Sequence, residues 1–290
     1  MKKITYTAKL CGTIEENLRN EGLSSKIITN LRKELGLITN FDGIPIKTVD
    51  KLNIGDKYEI TLKDEITRHI PDYNLTLEFV YEDEDIAVIN KPYNLAVIST
   101  SNHYAKSLEN VLHYYWGDFV YRPVNRLDKD TSGLMIIAKN QLAHHKLQQQ
   151  NIIKKYVALC SGKVVGEGKI DAPIYKNPTG SMVRVIDKKG QNAVTLYKSL
   201  AVYNDYSLVE FTLLTGRTHQ IRVHAKHIGH PLCCDFLYNN NPQPIIAPNG
   251  TKITRTALHS SYLQFKHPIT DKEIILTCKA DFEKYHKIKG

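Results

Sequence analysis

The chain has 290 residues, enough to bury a large core and to hold one large unit and a small one. Its 39 Lys and Arg against 30 Asp and Glu leave a net charge of +9, which favours an anionic partner. No apolar run approaches the roughly 18 residues of a membrane span, the start Met-Lys-Lys-Ile-Thr-Tyr lacks the apolar stretch of a signal peptide, and five cysteines without C-x-x-C spacing indicate neither a disulfide frame nor a cysteine zinc site. The expectation is a cytoplasmic protein whose cysteines are reduced and structural.

In chain order, the first feature is a short amphipathic helix over 24–36. Ser24 stands where an N-cap belongs, Ile27, Ile28, Leu31 and Leu35 recur at helical spacing, and Gly36 is the stop. A turn at Asn40-Phe-Asp-Gly43 follows, and the alternation of Gly55 to Leu62 predicts a strand. A polar stretch from Lys63 to Asn74, with Pro71, reads as a linker. Beyond it, strand-like runs at 86–90, 134–138, 156–160, 194–202, 207–214 and 273–277 mix with helical runs at 108–115, 141–151 and 218–227. Strands outnumber helices without alternating with them, which predicts an α+β mixed sheet over a doubly wound fold. In the strand at 156–160, Tyr156 and Ala158 share one face, Val157 and Leu159 the other.

The residues 122–133, reading RPVNRLDKDTSG, place a carboxylate, Asp128, two residues from a guanidinium, Arg126, in a polar turn just before the apolar run 134–138. That is the layout of a site backed by a buried strand. The segment resembles the signature of the RluA family of RNA pseudouridine synthases, (H/N)RLDxxTSG, at every fixed position. Ile153 to Leu159 resembles the family's second motif and Gly216-Arg-Thr-His-Gln-Ile-Arg-Val-His224 its third, so the likeness spans roughly 75–280. It implies a pseudouridine synthase fold, a largely antiparallel mixed sheet with a central cleft, over 75–290. Residues 1–62 resemble a diverged αL RNA-binding domain first seen in a small-subunit ribosomal protein, with 63–74 as linker.

The resemblance also implies roles. Asp128 is the expected nucleophile, and three routes are open to it: attack on the ribose anomeric carbon, addition to the uracil ring, or stabilisation of charge while the base is detached. Arg222, on the helix after Gly216, is the expected guanidinium that keeps this carboxylate ionised. Tyr156 is expected to stack on the uracil and to exchange a proton. Because a stacked uridine must first leave its stack, Arg126 is expected to fill the vacated place. Asn125, Lys154, Arg217 and His219 are the further candidates for RNA contact, and 12 histidines and 17 tyrosines add surface suited to unpaired bases.

This chain departs from the family pattern at Asn125, where many relatives have histidine, and at Cys234, where the GHPxxGD segment has glycine. A non-glycine there puts the local turn in question. His219, His224, His227 and His230 lack the spacing and carboxylate of a zinc site, so no metal and no cofactor is expected. The predicted function is isomerisation of specific uridines in structured RNA, ribosomal RNA favoured over transfer RNA, by a protein taken by default as a monomer. The alternative is a non-catalytic RNA-binding or ribosome-assembly factor on the same scaffold, against which Asp128, Tyr156 and Arg222 argue. A nucleotide hydrolase is weakened by the lack of a phosphate-binding glycine loop.

Overall fold

The computed structural model describes residues 2–64, 73–99, 106–176, 182–246 and 252–282, so most of the predicted linker lies outside the described residues. The first 62 residues form β1 (Lys2–Thr7), β2 (Gly12–Thr13), α1 (Ile14–Asn20), α2 (Ser25–Arg32), β3 (Ile38–Asn40), β4 (Lys51–Leu52) and β5 (Lys57–Leu62). Strands β1, β5 and β3 pair antiparallel in that order. The alternation of β5 turns Tyr58, Ile60 and Leu62 onto the apolar faces of α1 and α2, where Ile14, Leu18, Ile27 and Ile28 close a core that also takes in Leu142 from much further along the chain.

Helix α1 was not among the sequence expectations, although its signal is plain. Thr13 Oγ1 accepts from the Glu16 amide and Glu16 Oε2 accepts from the Thr13 amide, a reciprocal capping box. Helix α2 starts as expected, with Ser24 Oγ accepting from the Ile27 amide, but stops four residues short of Gly36. The chain must turn there to bury Leu37 and Ile38 at β3, so Leu35 falls in the turn and is 71% exposed.

The rest comprises β6 (Glu78–Glu82), β7 (Ile86–Lys91), α3 (Leu108–Trp116), β8 (Ser132–Ala138), α4 (Gln141–Gln149), β9 (Ile153–Ser161), β10 (Glu167–Asp171), β11 (Ile174–Lys176), β12 (Arg184–Ile186), β13 (Val194–Val202), β14 (Tyr206–Leu213), α5 (Gln220–His227), β15 (Ile245–Ile246), β16 (Lys252–Ile253), β17 (Leu258–Lys266) and β18 (Glu273–Thr277). A nine-stranded sheet runs β10-β13-β14-β9-β17-β8-β7-β6, with β18 added alongside β17. All its pairings are antiparallel except β17 with β8. This is the expected α+β mixed sheet.

Every residue of β8 is buried: Met135 and Ile137 enter one apolar cluster while Leu134, Ile136 and Ala138 enter another on the opposite face. Strand β9 divides as predicted, Tyr156, Ala158 and Cys160 to one side, Val157 and Leu159 to the other. All five cysteines are free, as expected; Cys160, Cys233 and Cys234 are buried, Cys278 is half-buried and Cys11 is exposed. No helix among the described residues is long and apolar enough to cross a membrane.

Candidate active site

The loop 122–131 is laid against β8 by backbone and side chain together. The Val124 amide donates to Ile136 O and the Ala138 amide to Arg122 O, at 2.9 Å each. Asn125 Oδ1 accepts from the Ile136 amide at 2.8 Å, so the residue expected to meet RNA also fixes the loop from below. The Thr131 amide closes a turn on Asp128 O at 3.1 Å. Just beyond, Gly133 has φ +110 and lies so close to β17 that an added Cβ would come within 2.3 Å of Ser260 O. No other residue fits there, which ties the register of the parallel pair to this position.

Asp128 projects from this turn with its side chain 26% exposed. Arg222 Nη1 lies 3.3 Å from Asp128 Oδ2, and His219 Nε2 lies 3.9 Å from the same oxygen. Arg222 is itself buried: its Nε and Nη2 donate to Asp235 Oδ2 and Oδ1 at 2.7 Å, and its guanidinium lies over the Tyr238 ring, 5.1 Å from the ring centre. Burial alone would lower the guanidinium's pKa; the hydrogen bonds and charge of Asp235, with Asp128 adding, raise it above its ordinary value. Asp235 is wholly buried and also accepts from the Leu237 amide. The two-point grip leaves Arg222 one free edge, aimed at Asp128.

The residue before this clamp, Cys234, has φ +58, the left-handed conformation natural to the family's glycine. A side chain there costs roughly 1–2 kcal/mol; the Sγ contacts with Gln243 O at 3.2 Å and Ile253 O at 3.3 Å accompany the strained turn.

Tyr156 closes the apolar side of the site and is 5% exposed. Burial, reinforced by the Asp128 charge, raises its hydroxyl pKa well above the ordinary tyrosine value, so the phenol keeps its proton. Helix α5 begins two residues later than predicted, because Gln220 is taken up as a loop organiser: its Oε1 accepts from Thr215 Oγ1 and the Arg217 amide, and its Nε2 donates to Val194 O. His219 is thereby left at the N-cap with φ +58.

Asn125, Arg126, Asp128, Lys154, Tyr156 and Arg217 line one cleft of about 640 Å³, and Arg222 and His219 line the small pocket at its floor. All the residues singled out from sequence therefore meet in one place. Arg126 is exposed at the rim, with no ion-pair partner among the described residues. Lys154 is partly buried, which lowers the pKa of its ammonium. Arg217 donates from Nε to Asn192 O. A larger hollow of about 810 Å³ lies between α2 and α4, but it contains neither Asp128 nor Arg222, and reactive chemistry points to the smaller cleft.

Sequence reading missed Asp235, Tyr238, Gln220 and Lys91. Asp235 stood in a segment already singled out for Cys234, and a lone Asp after two buried cysteines was the available signal. Lys91, fully buried, donates to Pro92 O, Leu95 O and Lys129 O, stapling the segment after β7 to the Asp128 turn; burial brings its pKa down to about 7, against the pull of Asp128 and Asp130. His219, His224, His227 and His230 do not form a metal set. His224 bonds Thr195 Oγ1 and Ala172 O, His230 bonds Ser161 O, and the metal-like group among the described residues is instead Asp83, Asp85 and His267. Its atoms are engaged with Tyr81, Asn140 and backbone amides, as an ordinary structural cluster would be.

Residues 85–227 match the family model described as RNA pseudouridylate synthase. The chain is 34% identical to the ribosomal large subunit pseudouridine synthase D of Haemophilus ducreyi, over 89% of this chain and 86% of that one. It is 37% identical to the uncharacterized RNA pseudouridine synthase YlyB of Bacillus subtilis, over 80% and 78%. Among solved structures, the human RNA pseudouridylate synthase domain containing 1 superposes with a TM-score of 0.57 at 26% identity, covering 71% of this chain and 84% of that one.

Proposed function

The chain belongs to the RluA family of RNA pseudouridine synthases and is an isomerase of uridine in RNA; on that premise we propose that it acts on ribosomal RNA of the large subunit, with Asp128 as the attacking group. The target follows the name of its Haemophilus relative, a ribosomal large subunit pseudouridine synthase. The reaction breaks a carbon-nitrogen bond and makes a carbon-carbon bond on the same ribose, with no change of redox state, so one carboxylate and a way to move a proton suffice. The observation that carries the reading is the Asp235–Arg222–Asp128 chain of charge at the foot of a cleft roofed by Tyr156.

Each residue then has a task its geometry suits. Arg222 offers Asp128 a cation that cannot turn away, because Asp235 grips its other two nitrogens. Tyr156, protonated and flat against the apolar core, serves as a stacking platform and a proton donor, not as a phenolate base. Arg126, exposed at the rim, suits the space a flipped uridine leaves. Lys154 and Arg217 face the same cleft as phosphate contacts.

The test is pseudouridine mapping by carbodiimide-dependent reverse-transcription stops on cellular RNA from wild type, a deletion and Asp128→Ala. Stops in large-subunit RNA lost in both altered strains support the proposal. Stops that survive both changes would leave the chain as an RNA-binding factor.

A further inference from the structure

His219 was a candidate for RNA contact, yet its side chain is only 12% exposed, with one ring edge hydrogen-bonded to Tyr238 and the other facing Asp128 at 3.9 Å. Tyr238 Oη lies 2.7 Å from Nδ1, and the ring plane of Tyr238 stands at 80° to the imidazole. The Arg184 amide donates to the same Tyr238 oxygen at 2.8 Å. An amide can only donate, so the tyrosine accepts there and must place its own proton elsewhere. Tyr238 is 2% exposed, and among the described residues the acceptor within reach is His219 Nδ1. A nitrogen that accepts carries no proton, so the neutral ring holds its proton on Nε2, the atom facing Asp128.

Resting on the function proposed above, we propose that Tyr238 locks His219 as a neutral ring whose Nε2–H faces Asp128 Oδ2 at 3.9 Å, and that the Arg222 hydrogen bond and this N–H dipole together orient Oδ2 and leave Oδ1 as the oxygen that meets the substrate. Both neighbours of the carboxylate converge on Oδ2, while Oδ1 has no hydrogen-bond partner among the described residues. His219 is then a positioning residue. Its neutrality matters because Arg222 already supplies a full charge; a second cation beside Asp128 would bind the carboxylate more tightly and blunt it. Burial lowers the imidazole's pKa, and Arg222 from α5 and Arg184 from β12 lower it further; Asp128 and Asp235, from their turns, pull the other way, and the net direction is towards the neutral ring. The left-handed backbone of His219 is the strained feature that aims it, as sites of function commonly carry.

The first experiment needs no turnover: nitrogen chemical shifts of the full chain grown with isotope-labelled histidine, His219 assigned by its loss in His219→Gln. The expected wild-type result near neutral pH is an unprotonated Nδ1 and a protonated Nε2. The opposite tautomer, or an imidazolium, overturns the proposal, and does so even on a chain that proves inactive towards RNA. The second is the pH profile of pseudouridine formation. In Tyr238→Phe, Nδ1 is free to take a proton, so activity should fall by up to about fourfold near pH 6 relative to wild type and recover to within about twofold near pH 8. His219→Gln, which keeps an N–H donor of similar reach but has no group that titrates near pH 6, should show no such pH dependence whatever its level of activity. A Tyr238→Phe defect of the same size at every pH would mark a purely structural tyrosine and overturn the proposal.

Discussion

Within residues 2–64 the buried polar side chains are Asn17 and Thr48, both neutral, whereas the large sheet and its helices bury Lys91, Arg222, Asp235, His224 and His259. The first region keeps its charge outside, in pairs such as Arg19 with Glu15 and Lys63 with Glu34. Exposed pairs of that kind add little stability. The second region buries ions whose desolvation is seldom repaid in stability, and three of them, Lys91, Arg222 and Asp235, serve the surroundings of one carboxylate, Asp128. One region is built to stay folded, and the other to hold a reactive group in a fixed electrostatic setting.

The contrast is tested hardest at Asp128. Asp128→Asn should abolish pseudouridine formation, by at least about 10⁴-fold, while moving stability by no more than roughly 0.5 kcal/mol. A comparable loss of folding in urea titrations would mean that the carboxylate is structural. Next comes Asp235→Asn, which strips the buried Arg222 of its two-point partner. About 3–5 kcal/mol of stability should go, together with activity, as read by denaturant midpoint and single-turnover rate.

The third effect is one of pH. Burial lowers the His259 pKa to about 4, from an unfolded value near 6.5. Between those values the unfolded chain binds the extra proton, so folding stability falls as pH drops from about 6.5 towards 4, by about 3 kcal/mol in all. His259→Asn should flatten that part of the stability curve measured by thermal unfolding. The smallest effect is in the other region: Thr13→Ala removes the capping box of α1 and should cost about 1 kcal/mol with no change in turnover. A loss of activity there would break the division of labour between the two regions.

Strands β7, β8, β9 and β14 were legible because apolar, β-branched runs face the core, β13 and β18 because exposed and half-buried residues alternate along them, and α3 and α4 because their periodicity and caps agree. Strand β17 was not. Its sequence Leu-His-Ser-Ser-Tyr-Leu-Gln-Phe-Lys is polar for a central strand, since His259 and Ser260 find their places beside Ser132 and Gly133 across a contact of more than a hundred residues. The site divides in the same way. Asp128, Tyr156 and Arg222 stand in motifs, but Asp235 acquires its task through an ion pair with a residue 13 positions away, and Tyr238 through the proton its neighbour needs. Neither relation is written in local spacing.

Strand β17 also sets a schedule. It sits between β9 and β8, and among the described residues no other strand joins β6, β7 and β8 to β9, β14, β13 and β10. Asp128 precedes the first half-sheet's β8, while Arg222 belongs with the second. A chain emerging from the ribosome therefore carries the two members of its central ion pair on separate half-sheets until Leu258 to Lys266 has been made and threaded between them. The site is thus completed by a strand that comes after every residue it is built from.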